Sequence, residues 1–233
     1  MTPDTLKILQ ATDTPTVCNA IEVAQGARGF ANFTRKTLYA SDPKAPALVG
    51  YACTAQIAAA QPPTQAPELI KKQRMAYYRA MATGGKNVPS LCVIEDLDGD
   101  QAVGAFWGEI NTAVHRGFGL VGTLTNGLMR DLDHMADAYP VLAGGIGPSH
   151  AFVHVRSVGQ RVSIFGMTVA QGDLVHADRH GALVIPAELI PQLTAAIDQL
   201  RKTEELILGP ARQPDFDFET FTRAWAAFEA ART

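Results

Sequence analysis

The sequence predicts an α/β fold with a central mixed sheet and helices at both termini. Three observations lead to this class. Strand-like and helix-like segments alternate with short connections in the middle of the chain, which is typical of parallel βαβ units. A mostly β segment follows at 152–186, and helical patterns occupy both ends of the 233 residues. Nothing in the composition cuts the chain into independent parts, so we expect one domain over 1–233.

Helix signals dominate the first third of the chain. Thr14 stands at an N-cap position, and Pro15 stands at the first helical position of the second predicted helix. Pro67 begins a later helix, which Gly84 and Gly85 end. Small and β-branched residues between these helices predict one long strand or a pair of strands. The predicted elements are helices at 4–11, 15–25 and 67–83 and the strand region at 47–60.

The middle of the chain is predicted to alternate between strands and helices. Strands are expected at 90–97, 119–127 and 140–147, and helices at 108–117 and 130–138. Each connection is short, as in consecutive βαβ units. This pattern predicts a parallel layer within the sheet.

The last part of the chain is predicted to contain two hairpins and two helices. The hairpins turn at Val158-Gly159 and at Arg179-His180-Gly181. An amphipathic helix follows at 187–209, where Pro186 precedes it and Gly209 ends it. A proline-rich link leads to a last helix at about 217–231. The terminal helices are free to pack on a neighbouring subunit.

The charge balance argues against a nucleic-acid partner and favours self-association. The net charge is −3 and no run of Lys or Arg occurs, whereas nucleic-acid binding through counterion release needs a basic patch. Charged residues make up 18% of the chain, below the typical soluble share of about 25%, while hydrophobic residues make up 47%. We therefore expect a homo-oligomer, with a lightly charged monomer as the alternative.

The N-terminal segment and the cysteines both indicate a cytoplasmic protein. The first residues lack the basic and apolar regions of a signal peptide. No apolar run reaches the roughly 18 residues that a membrane span needs. Cys18, Cys53 and Cys92 are odd in number, far apart and without a CxxC pair. We expect reduced, mostly buried thiols in a reducing cytosol.

The first candidate site combines Glu109 with Arg130 and Asp131. Glu109 lies at the start of a predicted helix, where free backbone N–H groups and the helix dipole can hold a carboxylate or an enolate. Arg130-Asp131 follows a predicted strand and begins the next predicted helix, and ligand crevices form at such strand ends. Arg130 offers a planar fork for oxo-acid oxygens, and Asp131 offers a hard oxygen ligand for a divalent cation. A helix-capping Asp beside a surface Arg is the structural alternative.

Glycines are crowded around the strand ends near this dipeptide. They are Gly117, Gly119, Gly122, Gly127, Gly144, Gly145 and Gly147. Glycine lets a backbone approach a ligand closely, although tight packing of a helix on a strand uses glycine as well. No GxGxxG or GxxxxGK[ST] pattern occurs, which argues against a nucleotide-binding loop.

Two histidine pairs form a second candidate. His150 and His154, and likewise His176 and His180, are four residues apart, so each pair would point to one side of a strand. Two such pairs could ligate a transition metal. However, no Cys or Glu joins them at a zinc-site spacing, so we favour polar residues on a solvated face of the sheet.

Other chemistries have less support. Asp173 and Asp178 fall at predicted turns, where Asp commonly bonds its own backbone, so we expect structural roles. A Schiff-base aldolase would need a lysine buried in an apolar strand. Lys71 and Lys72 instead lie in a predicted helix, and Lys86 follows two glycines in a loop. A carbon–carbon lyase with this sequence would therefore use a metal.

The spacing of Glu109 and Arg130-Asp131, with twenty residues between, resembles the D/E-x20-R-D motif of the RraA-like family. That family includes 4-hydroxy-4-methyl-2-oxoglutarate aldolases. GEINTAVHRGFGLVGTLTNGLMRD looks like its central stretch, although TNG stands where the family commonly has an acidic residue and Gly. QGDLVHADRHGALVIP is similar to its GDxVxxDxxGxxxxP block, and TPTVCNAIE also fits. The resemblance covers most of a core at 12–209 and leaves 210–233 as a C-terminal helical tail.

The resemblance implies an α/β fold of the phosphohistidine-domain (swivelling β/β/α) kind, assembled as homotrimers or homohexamers. It also implies that Mg²⁺ or Mn²⁺ takes part in cleaving 2-oxo acids to pyruvate. By matching position, Asp131 would hold the metal, Arg130 would hold the pyruvyl oxygens, and Glu109 would order a metal-bound water.

The resemblance assigns two further sets of residues. The backbone of the helix start would bind the substrate carboxylate, through Gly108, Glu109, Ile110 and Asn111. Family enzymes also take an acidic residue from a neighbouring subunit, and Glu204 or Glu205 is the nearest match.

Together these observations predict a divalent-metal-dependent carbon–carbon lyase. It would release pyruvate by retro-aldol cleavage of a substrate like 4-hydroxy-4-methyl-2-oxoglutarate, decarboxylate oxaloacetate, or do both. The competing class is a non-catalytic regulator that binds a ribonuclease or another protein, because the family is named for such a regulator. The intact set of Glu109, Arg130 and Asp131 favours the enzyme, since a pure binding protein has no need of it.

Overall fold

The computed structural model describes residues 1–86 and 88–232 of the chain. Its helices are α1 (Pro3–Gln10), α2 (Thr14–Gln25), α3 (Pro67–Gly84), α4 (Glu109–Gly117), α5 (Ile190–Ala211) and α6 (Phe218–Ala231). Its strands are β1 (Tyr39–Ala40), β2 (Leu48–Ala58), β3 (Ser90–Asp96), β4 (Ala105–Trp107), β5 (Thr123–Thr125), β6 (Leu128–Met129), β7 (Val141–Ala143), β8 (Gly145–Ile146), β9 (His154–Val158), β10 (Val162–Ile164), β11 (Met167–Val169), β12 (Leu174–Asp178) and β13 (Gly181–Ile185).

One mixed sheet lies at the centre of the fold. Its strand order is β1-β7-β5-β3-β2-β12-β13, and β9 pairs with the far end of β2. Neighbours among β2, β3, β5 and β7 are parallel, whereas β1, β9, β12 and β13 pair in antiparallel fashion. The predicted mixed α/β class is confirmed, and the region 47–60 forms one long strand, β2.

Apolar side chains cover both faces of this sheet. On one face, Tyr77 and Met81 of α3 pack with Trp107 of β4 against the strands. On the other face, the β10–β11 hairpin buries Ile164 and Met167. Strands covered on both faces are nearly continuous apolar runs, as in β3. The helices α1, α2 and α5 form a third buried cluster with β12 and β13.

A small parallel sheet of β4, β6 and β8 lies beside the main sheet and carries the candidate site. The predicted helix at 130–138 is wrong, because only Leu132–His134 forms a 3₁₀ turn there. The chain at this point still belongs to the small sheet, since the backbone N–H of Arg130 donates to the carbonyl of Trp107 at 2.7 Å. Arg130 and Asp131 therefore follow a short strand and do not begin an α-helix.

The first predicted hairpin is wrong, because its first strand, β9, does not pair with the strand that follows it. β9 pairs with β2, so the chain does not fold back at Val158-Gly159. β10 pairs instead with β11 across Phe165-Gly166, where both residues have positive φ, as a two-residue type I′ turn requires. The second hairpin is confirmed, because β12 pairs with β13 across Arg179-His180, although Gly181 of the predicted turn is already the first residue of β13.

Several predicted boundaries also move. Strand 119–127 shortens to β5, and strand 140–147 splits into β7 and β8 in two different sheets. The N-cap of α2 is Asp13, one residue before the predicted Thr14, because its carboxylate accepts from the N–H of Thr16 at 2.8 Å. α5 continues past Gly209 to Ala211, and α6 packs against it.

Candidate functional site

The candidate site lies where β6 ends beside the start of α4. Gly108 is the N-cap of α4, with an extended backbone at φ −147°. A methyl group on Gly108 would overlap the Oδ2 atom of Asp131 and crowd the side chain of Arg130. Glycine is therefore needed here for close approach of two chain segments. The structure thus brings Glu109, Arg130 and Asp131 together at one place.

Asp131 has a left-handed backbone conformation, with φ 55° and ψ 42°. Asp tolerates this region better than most residues do. Its carboxylate reaches the start of α4, where Oδ2 accepts from the backbone N–H of Glu109 at 3.3 Å. Such backbone conformations cost about 1–3 kcal/mol and are concentrated at functional sites. Ala138, Ala151 and Phe165 also have positive φ, so the conformation of Asp131 matters here for where it directs the carboxylate.

Arg130 has an unsatisfied donor in the site. Its Nε atom is buried and has no hydrogen-bond partner among the described residues. Nε lies 3.5 Å from Oδ2 of Asp131, which makes an ion pair but not a hydrogen bond. Both side chains are partly exposed, so this pair contributes little to stability. An unpaired buried donor costs about 1–3 kcal/mol, and an anionic oxygen bound at the site would satisfy it.

A hydrogen-bond network behind the site holds the first turn of α4. His115 donates from Nδ1 to the carbonyl of Asn111 at 2.6 Å, and its Nε2 accepts from the hydroxyl of Tyr77 at 2.7 Å. Tyr78 donates to Oδ1 of Asn111 at 2.9 Å. The amide of Asn111 donates in turn to the carbonyl of Phe106 at 2.6 Å. Burial lowers the pKa of His115 to about 4, so the imidazole is neutral at pH 7.

The network fixes the side chains of the helix start. The side chain of Asn111 is occupied by its two hydrogen bonds, and Ile110 is 74% exposed. Thr112 donates to the carbonyl of Gly108 and accepts from the N–H of Ala136, both at 3.0 Å. The loop after Asp131 is thereby tied to α4.

Sequence reasoning missed this network. Two signals were present, because His115 lies one helical turn after Asn111 and two adjacent tyrosines occupy α3. Their pairing depends on how α3 packs on α4, which a local pattern does not show.

The structure separates the four histidines. His176 of β12 is aligned with Val49 near the start of β2, whereas His154 of β9 is aligned with Ala58 at its end. Nine residues of strand separate these positions, on the order of 30 Å. His154 and His176 are buried, so the prediction of a solvated sheet face is wrong for both, while His150 and His180 are exposed.

His176 has a structural role. Its Nδ1 lies 3.0 Å from the hydroxyl of Thr14, and its Nε2 lies close to the carbonyls of Leu9 and Thr12. Burial lowers the pKa of His176. The hydrogen bonds to the carbonyls of Leu9 and Thr12 raise it, but by less than burial lowers it. Over residues 1–86 and 88–232, no group of three or more His, Cys, Asp or Glu side chains is arranged to hold a metal ion.

Asp173 and Asp178 bond to backbone groups, in keeping with the structural roles predicted for them. Asp173 accepts from the N–H of Ala170 at 2.8 Å. Asp178 accepts from the N–H of Thr14 at 2.9 Å and of His180 at 2.8 Å. Burial raises the pKa of Asp178, but these hydrogen bonds outweigh burial, and the pKa lies below its ordinary value.

Glu204 and Glu205 lie on α5, which packs against α1, α2 and α6. Glu205 forms an ion pair with Arg212 at 3.1 Å. A contribution of either residue to the site of a neighbouring subunit stays a prediction.

The three cysteines are free thiols. Cys53 and Cys92 are buried and Cys18 is partly buried, and burial raises the pKa of all three. Raised pKa values suppress the thiolate, so these residues are poor nucleophiles. In the part of the chain that the structure describes, no helix is long and apolar enough to cross a membrane.

The sequence matches the RraA-like family, described as Aldolase/RraA, over residues 14–184. Protein DlpA of Legionella pneumophila is 29% identical to the chain over 140 residues. That match covers 59% of this chain and 23% of DlpA, so the chain spans less than a quarter of that protein's length.

Two solved structures share the fold. A protein from Pseudomonas syringae pv. tomato matches with a TM-score of 0.66 at 21% identity, over 100% of this chain and 98% of its own. RraAS2 of Streptomyces coelicolor, described as an unusual member of the RNase ES inhibitor RraA protein family, matches with a TM-score of 0.64 at 20% identity. That match covers 91% of this chain and 98% of RraAS2.

Proposed function

Because the chain belongs to the RraA-like family, we propose that it is a divalent-metal-dependent lyase that cleaves a carbon–carbon bond of a 2-oxo acid and releases pyruvate. The observation that carries this proposal is the close approach of Arg130 and Asp131 to the glycine-capped start of α4. A carboxylate, a guanidinium and the backbone N–H groups of a helix start meet there. This set suits a 2-oxo acid, which presents carboxylate and keto oxygens on adjacent carbons.

The donors at this place suit a hard cation such as Mg²⁺ or Mn²⁺. Asp131 uses Oδ2 for its one side-chain hydrogen bond among the described residues, which leaves Oδ1 as a ligand. Mg²⁺ commonly binds one or two carboxylates and keeps several waters, so a single protein carboxylate is sufficient. When bound, such a cation supplies Lewis acidity at the keto oxygen.

The residues of the chain have separate roles in binding the substrate and in cleaving the bond. Arg130 binds the pyruvyl oxygens with its planar fork and stabilises the negative charge that develops as the bond breaks. The backbone from Gly108 to Asn111 holds the carboxylate at the positive end of α4. Glu109 orients a water that takes the hydroxyl proton in retro-aldol cleavage. Oxaloacetate needs no such base, so we expect its decarboxylation to be the easier reaction.

The same proposal extends to the fold type, the assembly and the location. We assign the fold to the phosphohistidine-domain kind and expect a homotrimer or homohexamer. The three free thiols suit a reducing cytosol.

A non-catalytic regulator is the second candidate function. The observation that favours it is the aromatic surface of α6, where Phe218 is 81% exposed and Trp225 is 41% exposed. Exposed aromatic side chains are common where proteins bind other proteins. Such a regulator would bind a ribonuclease or another protein without turning over a 2-oxo acid.

A metal titration separates the two functions. The purified chain is treated with EDTA, and pyruvate release from oxaloacetate and from 4-hydroxy-4-methyl-2-oxoglutarate is followed as Mg²⁺ or Mn²⁺ is added back. We expect no release in the chelator and a saturable recovery with either metal. Full activity in EDTA would rule out the metal mechanism, and no activity at any metal concentration would favour the regulator.

A further inference from the structure

The solvent-exposed side of α3 is strongly basic. Residues 67–86 contain five cationic side chains and one acidic side chain, Glu68, so this stretch has a net charge of +4. The cations form the basic face and are all exposed; they are Lys71, Lys72, Arg74, Arg79 and Lys86. Because the whole chain has a net charge of −3, the rest of it carries −7. The charges of the chain are therefore unevenly distributed over its surface.

The cations of the basic face have no anionic partner within the chain. Among the described residues, the ion pairs all involve other side chains. Lys71, Met75 and Arg79 recur at intervals of four residues, so they lie along one stripe of α3. Met75 is exposed between the two cations, and Leu69 is exposed near the start of the helix. Met and Arg are both enriched where proteins bind one another.

The C-terminal end of the chain has the opposite charge. Residues 204–231 contain six acidic and two cationic side chains, which gives a net charge of −4. Both arginines already have a partner, since Arg212 pairs with Glu205 at 3.1 Å and Arg223 pairs with Glu219 at 2.9 Å. The acidic side chains outside these pairs are Glu204, Asp215, Asp217 and Glu229. They are available to cations of another molecule.

An aromatic stripe runs along α6 within this acidic region. It consists of Phe218, Phe221, Trp225 and Phe228, whose successive ring centroids lie 6.1, 5.7 and 5.5 Å apart. Phe218 and Trp225 are exposed, whereas the other two rings are half-buried. Aromatic faces attract Lys and Arg side chains as well as apolar groups. The stripe therefore suits a partner surface that combines cations with apolar side chains.

We propose that the acidic, aromatic side of α6 in one chain docks on the basic face of α3 in a second copy of the chain. The two surfaces have opposite net charge, and each carries exposed apolar side chains that contact would bury. Within one chain, α6 packs against α5, whereas α3 packs against β2 and β9. Both surfaces therefore remain exposed on a single chain. A second copy is the partner that supplies both complements at once.

The proposed contact joins two different surfaces, so each chain can receive one neighbour and dock on another. Contacts of this kind close into a ring when the rotation between neighbours allows it. The inference goes beyond the lyase function and does not depend on it. It also links the interface to the candidate site, because α3 supplies the hydroxyl of Tyr78 that holds Asn111 at the first turn of α4.

The salt dependence of assembly tests the electrostatic part on the natural chain. Sedimentation velocity over a dilution series gives the protein concentration at which the assembly is half dissociated. Raising NaCl from about 0.01 M to about 1 M shortens the screening length from about 30 Å to about 3 Å. We expect half-dissociation to move to at least about tenfold higher protein concentration in the higher salt. An assembly that does not weaken in salt would contradict the inference.

Charge reversal at each surface tests which side chains meet. The first variant combines Lys71→Glu with Arg79→Glu on α3, and the second combines Asp215→Lys with Glu229→Lys at the C-terminal end. Each variant places like charges opposite each other, so each should dissociate at least about tenfold more readily than the natural chain. A variant that carries all four substitutions restores opposite charges across the contact and should assemble again.

A matched control separates this contact from a general effect of charge. Arg28 and Arg161 are exposed and lie outside both surfaces. Arg28→Glu combined with Arg161→Glu changes the net charge as much as the α3 variant does, and it should assemble like the natural chain. Equal dissociation of the control and the α3 variant would overturn the inference. A thermal melt shows whether each variant is folded, and the salt series on the natural chain decides if one is not.

The remaining outcomes are equally decisive. If the two single-surface variants dissociate and the fourfold variant does not recover, the two surfaces do not meet and the inference is wrong. Assembly of the α3 variant at the natural concentration also overturns it. A natural chain that stays a monomer at micromolar concentration overturns it as well, and leaves the aromatic stripe of α6 to another protein, as the regulator would require.

Discussion

At Gly108, the absence of a side chain sets the distance between α4 and the carboxylate of Asp131. The backbone conformation at Gly108 is one that any residue adopts, so the constraint is steric. Asp131 is constrained differently, because its left-handed backbone turns its carboxylate toward the N–H of Glu109. Together the two residues explain how a 3₁₀ turn and a helix start form one site.

Gly108→Ala tests this steric constraint. The new methyl group should displace Asp131 and Arg130, and a misplacement of about 1 Å at a reacting centre can cost about a hundredfold in rate. The melting temperature should change little, since Ala fits the backbone conformation. Pyruvate release and a thermal melt are measured on the same preparation.

Gly117→Ala is the matched control in the same helix. A methyl group there would contact nothing within 4 Å, so activity should be retained. If Gly108→Ala keeps full activity, or if both variants lose activity equally, the steric account of the site is wrong.

At the scale of elements, α4 depends on buried polar contacts with α3. His115 is fully buried and neutral, and it joins the carbonyl of Asn111 to the hydroxyl of Tyr77. The folded chain therefore resists protonation of this imidazole, which couples the stability of the site to pH.

His115→Gln should reduce the dependence of stability on pH between about 4 and 6.5. The pKa of His115 is lowered from 6.5 to about 4, so the unfolded chain binds a proton in this window that the folded chain does not. The contribution of neutral His115 is fully present above pH 6.5 and is lost as the pH falls toward 4. The total is up to about 3 kcal/mol. Urea unfolding of both proteins at several pH values measures the difference.

The pKa of Asp96 changes stability with pH in the opposite direction to that of His115. A pH series on the wild type alone would combine both effects, so the variant must be compared with it. Burial raises the pKa of Asp96 to about 6, so the folded chain holds a proton there that the unfolded chain releases. Its contribution is present at low pH and is lost as the pH rises toward 6. Comparing wild type with His115→Gln cancels this effect. A difference in stability that does not shrink on acidification would contradict the role of His115.

The sequence predicts the helices better than the short strands. Pro67 and the two glycines after 83 mark both ends of α3, and the predicted bounds are within one residue of those observed. In contrast, β6 consists of Leu128 and Met129 alone, too short to show an alternating pattern. Its partner β4 is distant in sequence, and its partner β8 falls inside the predicted strand at 140–147. Only the tertiary structure therefore reveals the small sheet.

The candidate site, too, is only partly predictable from the sequence. The spacing from Glu109 to Arg130-Asp131 is visible in the sequence and is similar to a family motif. The conformation of Asp131 and the overlap at Gly108 are not visible, because they follow from the packing of β6 against α4. The predicted helix at 130–138 failed for this reason.

At the scale of the whole molecule, apolar side chains remain exposed at several places on one chain. Ile110 beside the site and Phe218 on α6 are 74% and 81% exposed. Charged residues make up only 18% of the sequence. Burial of such side chains between subunits would stabilise an assembly by roughly 25 cal/mol for each Å² of apolar surface.

Light scattering coupled to gel filtration should therefore give a mass of three times the chain mass of 24.9 kDa, or a multiple of that trimer. The mass should hold on dilution to low micromolar concentration. A mass of one chain across this range would contradict the assembly, and would remove any role for Glu204 or Glu205 in a shared site.

The central claim is that Asp131 binds the divalent cation of a lyase centre, and Asp131→Ala with a Mn²⁺ titration tests it most directly. Pyruvate release from oxaloacetate is measured for wild type and variant as Mn²⁺ is added to chelator-treated protein. The account predicts that half-saturation moves to at least about tenfold higher Mn²⁺ in the variant, with part of the rate recovered in excess metal. The same half-saturating Mn²⁺ concentration in both proteins would contradict it.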